Sequence, residues 1–282
     1  KNRKGWDNEA RAVVFDEGNG GKWDSFRIEK TANILRFRDE DGKPLLDKIL
    51  DVAGQKGTGK WSAIAAMDEN DPLTLITEAV YARLLSALYP ERIKAASLYS
   101  GKLKVESGKL SDNAQLSIED VRQALYAAKL ISYAQGFSLL RHASEHYGWD
   151  LDYGTIARIW RKGCIIRSVF LQKITEAYRK DPDLENLLFD DFFHTKIQEA
   201  LPAWRRVVAE GALSGVALPA MSSALNYFDG LRTLYSAANM IQAQRDYFGA
   251  HTYERTDRER GHFFHTNWTG EGGNTVSGTY SV

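Results

Sequence analysis

Residues 54–61 read Gly-Gln-Lys-Gly-Thr-Gly-Lys-Trp. Three glycines give backbone N–H groups room to approach an anion, Lys56 adds a positive charge and Thr58 a hydroxyl. The run also meets every position but the last of the pattern G-x-x-x-x-G-K-[ST], where Trp61 replaces the hydroxyl that would hold Mg²⁺. A nucleotide loop of that kind joins a buried strand to a helix. Here Leu45, Leu46, Ile49 and Leu50 precede the loop at helical spacing, and no later apolar strand ends in the aspartate such a site needs. These features disfavour an NTPase and leave two readings: a static anion site, or a solvated glycine turn between helices.

A second cluster spans Gln244 to Glu254. Arg245 offers a planar fork suited to phosphate or carboxylate, and His251 adds an imidazole beside it. The plainer reading is a helix C-terminus, with Arg245 near the last carbonyls and Gly249 in the left-handed position just beyond them. A third run, Trp160 to Ser168, contains Cys164, the only cysteine. It lies against Ile165 and Ile166 with no evident base, so a buried structural thiol is expected. His142 and His146 are one helical turn apart, but Glu145 points elsewhere on the helix, and no metal site is read.

The elements that must position these residues are helical. Asp71-Pro72 reads as N-cap and first residue of a helix with Leu73, Ile76, Val80, Leu84 and Leu88 on one face, ended by Pro90. Ser117 to His146 holds a long pattern whose middle, with Ala128, Ser132 and Gln135, is small and polar enough for tight packing. Residues 165–180, 184–200, 203–210 and 219–244 read as further helices; 101–116 and the end from about 252 read as irregular. The chain also repeats weakly. A shift of 143 moves Gly5-Trp6-Asp7 onto Gly148-Trp149-Asp150, Ser25 onto Ser168, Gln55 onto Gln198 and Trp61 onto Trp204. One further residue of shift brings Val80 over Ala224 and Leu84 over Phe228. A duplicated helical unit, about 5–90 and 148–235, is expected. The second copy follows the long helix 117–146, so a matching helix is expected ahead of the first. Phe263, Phe264 and Trp268 make the tail too aromatic to stay unpacked, and a neighbouring subunit is the expected receiver.

The totals narrow the class. The chain has 282 residues with 37 basic against 37 acidic side chains, which argues against nucleic acid or an acidic membrane surface as the main partner. No apolar run approaches the ~20 residues of a membrane span. No secretory apolar segment follows Lys1, and a lone cysteine fits a reducing compartment, so a cytoplasmic location is expected.

Taken together, residues 53–61, 162–168, 242–254 and 265–270 resemble the decarboxylating 6-phosphogluconate dehydrogenases, in the right order and over nearly the whole chain from about Phe15. The resemblance implies an all-α fold: the duplicated helical domain of that family's C-terminal type, residues 1–252, with an extended C-terminal tail, 253–282, that packs on a partner subunit. It implies an oxidoreductase of the pentose phosphate pathway and gluconate utilization, converting 6-phosphogluconate to ribulose 5-phosphate with NADP, without a metal, as a homodimer with tail exchange. Lys56, Thr58 and Arg83 match substrate-phosphate ligands, and Arg245 and His251 match residues that reach in from the partner. The family's base, acid and nucleotide-binding domain fall before residue 1, so no catalytic residue is assigned here, NADP is expected to be bound mainly elsewhere, and the chain alone is expected to be inactive. Arg27 and Lys30 stand where the family has apolar residues, and Gly18 where it has tryptophan. The alternative is a non-catalytic phospho-ligand binding or interaction module on the same helical fold.

Overall fold

The computed structural model describes residues 6–19, 25–99 and 116–271. Its helices in order are α1 (Asn8–Asn19), α2 (Phe26–Arg36), α3 (Thr58–Asp68), α4 (Thr74–Ala87), α5 (Tyr89–Tyr99), α6 (Ile118–Tyr147), α7 (Tyr153–Ile159), α8 (Leu171–Lys180), α9 (Asp191–Leu213), α10 (Pro219–Leu231) and α11 (Ala238–Gly249). Single 3-10 turns lie at Leu45–Lys48 and Leu187–Phe189. A two-strand hairpin pairs β1 (Tyr253–Glu254) antiparallel with β2 (Phe263–Phe264). The chain forms two compact units, Lys1–Tyr227 and Phe228–Val282.

The long helix α6 is the spine of the first unit. Ser117 and Asp120 cap each other reciprocally at its start, and Gly148, at φ 68°, ends it in the left-handed conformation. Ala124, Ala127, Ala128, Ile131 and Ala134 are buried at three- and four-residue spacing, and small side chains let α9 lie close along it. From α9 come Phe193, Ile197, Ala200, Trp204 and Val207. Each large side chain so buried contributes about 1.5–3 kcal/mol.

The middle of α6 carries three polar side chains that fix where α4 begins. Gln135 is fully buried; its Oε1 accepts the Leu75 N–H at 3.0 Å and its Nε2 donates to Thr74 Oγ1 at 2.8 Å. Ser138 and His142 both donate to Asp71 Oδ2. The His142 tautomer follows from its other partner: Arg141 Nη2 lies 2.8 Å from Nε2 and can only donate, so the proton sits on Nδ1. His146 makes the analogous bond to Glu69.

These contacts correct the expected helix start. Asp71 is not an N-cap; α4 starts at Thr74 with Leu73 before it and no side-chain cap of its own. Two hydrogen bonds from α6 outweigh the local capping preference. Pro90 follows the end of α4 at Ala87, as expected, and also lies in the first turn of α5, while Leu84 and Leu88 stay exposed on this chain. Residues 165–170 form a turn, not helix, so α8 starts at Leu171. Residues 184–190, expected to be helical, hold a 3-10 turn instead, and the rest of the expected helices 184–200 and 203–210 run together as α9, with Pro202 inside it. The segment expected to be irregular at 101–115 lies outside the described residues. Arg27 and Lys30 fall on the exposed side of α2, where Lys30 pairs with Glu29, so neither charge enters the core. Gly18 is buried. Cys164 is half-buried rather than buried.

Under the shift of 143, α1 falls on α7, α2 on α8, the first 3-10 turn beside the second, and α3 on the second half of α9. One more residue of shift lays α4 on α10. Ser25 and Ser168, which coincide under the same shift, are joined by an antiparallel bridge, and Phe26 N donates to Arg167 O.

Gln135→Leu fills a similar volume but leaves the buried Leu75 N–H without an acceptor. Urea unfolding is expected to show a loss of about 1–3 kcal/mol. Unchanged stability would show that α4 is held by other means.

Candidate phosphate-binding site

The glycine loop ends on a helix N-terminus. Gly57 is the N-cap of α3, with φ 101°, a conformation that Cβ-bearing residues rarely adopt, and no side chain caps the helix. Thr58 is its first residue, and the first intrahelical bond to the Gly57 carbonyl comes from Trp61 N. The N–H groups of the first turn and the positive end of the helix dipole are thus presented where Lys56, Thr58 and Lys60 are exposed. Under the shift of 143, the residues leading into this loop fall on the first turns of α9. What is continuous helix in one copy is opened in the other, and the opening creates the free N-terminus.

Arg83 is exposed on α4, which packs beside α3. A Cβ on Gly59 would come 2.8 Å from Val80 Cγ2, so glycine there sets how closely the two helices meet, one turn before Arg83. The loop is also tied down from the far end of α4. Ala53 N donates to Ser86 Oγ at 2.9 Å, and Ser86 Oγ donates to the Arg83 carbonyl at 2.6 Å. Arg92 Nη1 donates to the carbonyls of Asp51 and Ser86, and Nη2 pairs with the Asp51 carboxylate. That guanidinium holds the Asp51 carboxyl below its ordinary range. The structure therefore puts Lys56, Thr58 and Arg83 on mutually braced elements.

The second unit holds Arg245 and His251. Together with Ile241, Gln244, Phe248 and Gly249 they line one concavity of about 380 Å³. Gly249 is not the left-handed residue; α11 runs through it and Ala250 takes that role at φ 52°. Glycine is needed at 249 for another reason. A Cβ there would lie 2.9 Å from the His251 ring, so its absence lets the imidazole fold against the helix end.

Asp246, next to Arg245, is the buried centre of this unit. It accepts from His265 Nδ1 at 2.8 Å, Thr266 N at 2.9 Å and Trp268 Nε1 at 2.8 Å. Burial alone would push its carboxyl up; the bonds from His265, Thr266 and Trp268 outweigh burial and leave it below the usual carboxylate value. The tail is thus not wholly irregular: 265–268 is pinned to α11 and β2 pairs with β1. Its rings are only partly covered within this chain, Phe263 and Trp268 remaining exposed beside Tyr247 and Phe248. Among the described residues no group of His, Cys, Asp and Glu could hold a metal. No helix there is long and apolar enough to cross a membrane.

An all-helical domain with an open, lysine-flanked helix N-terminus is a class defined by this geometry. Residues 1–268 match the family model described as 6-phosphogluconate dehydrogenase, C-terminal domain. The chain is 52% identical over 278 residues to the decarboxylating 6-phosphogluconate dehydrogenase of Rattus norvegicus, covering 99% of this chain and 57% of that protein. It is 53% identical to the protein of the same name from Cunninghamella elegans, covering 99% and 56%. A solved structure titled as Plasmodium falciparum 6-phosphogluconate dehydrogenase, apo and in complex with NADP+ and with 6-phosphogluconate, superimposes with TM-score 0.87 at 42% identity, covering 93% of this chain and 56% of that one. The chain belongs to the 6-phosphogluconate dehydrogenase family and spans a little over half the length of these relatives.

Replacing Asp246 by Ala removes both acceptor oxygens, leaves the His265, Thr266 and Trp268 donors without their partner, and removes the charge. Because the folded carboxyl is lowered, its contribution is full above the ordinary value near pH 4 and is lost as pH falls through the lowered one. The Trp268 indole N–H resonance, followed by NMR, is expected to move toward its free position in Asp246→Ala at neutral pH, and in the parent only on acidification below about pH 4. An indole resonance identical in both proteins would remove Asp246 from this role.

Proposed function

We propose that this chain supplies the phosphate-holding part and the dimer interface of a decarboxylating 6-phosphogluconate dehydrogenase. The observation that carries this reading is the uncapped N-terminus of α3, opening from Gly57 beside Lys56 and Thr58 and braced against the helix that bears Arg83. A phosphate dianion placed there accepts backbone N–H groups, the Thr58 hydroxyl and two side-chain cations. Such charge-assisted bonds fix the distal end of a phosphosugar acid and so orient its reacting carbons. Arg245 and His251 complete the phosphate shell from a second copy of the chain.

The exposed apolar surface supports that assembly. Ile64 and Met67 on α3, Leu85 on α4, Leu88 just after it, and Ile93 and Leu98 on α5 are all exposed on this chain, as apolar side chains that a partner covers would be. In this reading residues 1–252 form the substrate-binding and dimerisation domain, built from two repeats, and 253–282 form a tail that packs on the partner. Among the described residues there is no parallel sheet and no glycine-rich strand-to-helix turn, so they do not fit a dinucleotide, and no step through NADP is assigned to them. Cytoplasmic location belongs to the same proposal.

Binding of 6-phosphogluconate to the chain, measured by NMR or calorimetry, is expected to weaken about tenfold or more in Lys56→Ala and in Arg83→Ala, since a bond to a charged group is worth about 1.5–3 kcal/mol. Lys60→Ala is expected to stay within about twofold by the same measure. Equal loss in all three, or equal binding of unphosphorylated gluconate, would overturn the assignment.

The purified 282-residue chain is expected to form no NADPH from 6-phosphogluconate. Measurable turnover would show that these residues hold catalytic groups that the proposal places elsewhere.

A further inference from the structure

One side chain behind the Arg245–His251 concavity makes two bonds at once. Gln242 lies one turn before Arg245 on α11. Its Oε1 accepts from Arg245 Nη1 at 3.0 Å, and its Nε2 donates to the Thr252 carbonyl at 2.7 Å. The orientation of the amide is forced from both sides. A guanidinium can only donate and a carbonyl can only accept, so oxygen must face Arg245 and nitrogen must face Thr252. Gln242 is half-buried and is not among the residues lining the concavity.

The consequence is mechanical. The chain turns sharply after α11, with Ala250 in the left-handed conformation and the His251 ring folded over Gly249. Backbone bonds from Ala250 N to Asp246 O and from His251 N to Arg245 O begin the turn. The Gln242 amide closes it by holding the residue after His251, and the same amide occupies one edge of the Arg245 fork. The remaining N–H groups of the fork are left to face an anion.

We infer that Gln242 is a positioning residue of the phosphate site, aligning the Arg245 guanidinium and the His251 imidazole as one rigid pair. This inference rests on the reading that Arg245 and His251 contact the substrate phosphate. Neither Glu nor Leu can do the same work. Gln242→Glu keeps the size and the acceptor but sets a carboxylate against the Thr252 carbonyl and neutralises Arg245. Gln242→Leu keeps the bulk and removes both bonds.

The test is 6-phosphogluconate binding to the full 282-residue chain, with thermal unfolding followed in parallel. Gln242→Leu is expected to weaken binding about five- to tenfold and Gln242→Glu further still, while Gln242→Glu unfolds at the parent temperature. The variant Gln242→Leu/Arg245→Ala is expected to bind more tightly than the two single losses multiplied together, because Gln242 acts in part through the guanidinium and only the part that acts through His251 remains. Full additivity in that double variant, or parent affinity in both Gln242 variants beside a weakened Arg245→Ala, overturns the role of Gln242 alone. Parent affinity in Arg245→Ala overturns the reading on which it rests.

Discussion

A fully buried glutamine decides where α4, the helix that carries Arg83, begins. Helix α4 has no N-cap of its own, and its first turn is satisfied from across the interface by Gln135 of α6. An amide that deep is tolerated only when both its ends are used, and here both are. Its bonds to Leu75 N and Thr74 Oγ1 fix the axial position of α4 against the spine. Ser138 and His142 repeat the constraint through Asp71. The position of Arg83, the closeness of α3 at Gly59 and the anchor of the loop at Ser86 all follow from where α4 is held.

The two units solve the same problem of presenting charge by different means. In the first, the loop before α3 is braced by Ser86 and Arg92, so the cradle needs no cation buried in the core. In the second, a carboxylate is buried outright and its desolvation is offset by three donors from the tail. A buried Asp246 beside Arg245 would ordinarily draw that guanidinium inward. With its oxygens occupied by His265, Thr266 and Trp268, and with Arg245 bonded to Gln242, the arginine keeps the rest of its fork free of the carboxylate.

Much of this was legible in the sequence where the signal is local. The long pattern from Ser117 to His146 matches α6 to within a residue at either end, and the spacing of Leu45 to Leu50 correctly denied the loop a preceding strand. Family membership was legible because four runs occur in order. Local signals failed where distant partners competed. Asp71-Pro72 has the composition of a helix start, but Ser138 and His142 are 67 and 71 residues away along the chain and claim the carboxylate first. Gly249 read as the left-handed residue because glycine prefers that conformation; the packing of the His251 ring, invisible to any local pattern, is what requires it. The bracing roles of Ser86 and Arg92 had no signal at all, since neither residue is unusual on an exposed helix.

Trp61 and Trp204 coincide under the shift that relates the two halves of the first unit, yet one is 65% exposed and the other fully buried. Trp204 lies under α6 and donates to the Met221 carbonyl; Trp61 lies against Gly57 at the mouth of the loop. One residue type thus occupies two settings, the packed core in one half and an open surface in the other. Damage at the first is a matter of whether the polypeptide survives in the cell. Damage at the second removes no core side chain and leaves the fold standing, so the molecule tolerates change at one tryptophan far better than at the other.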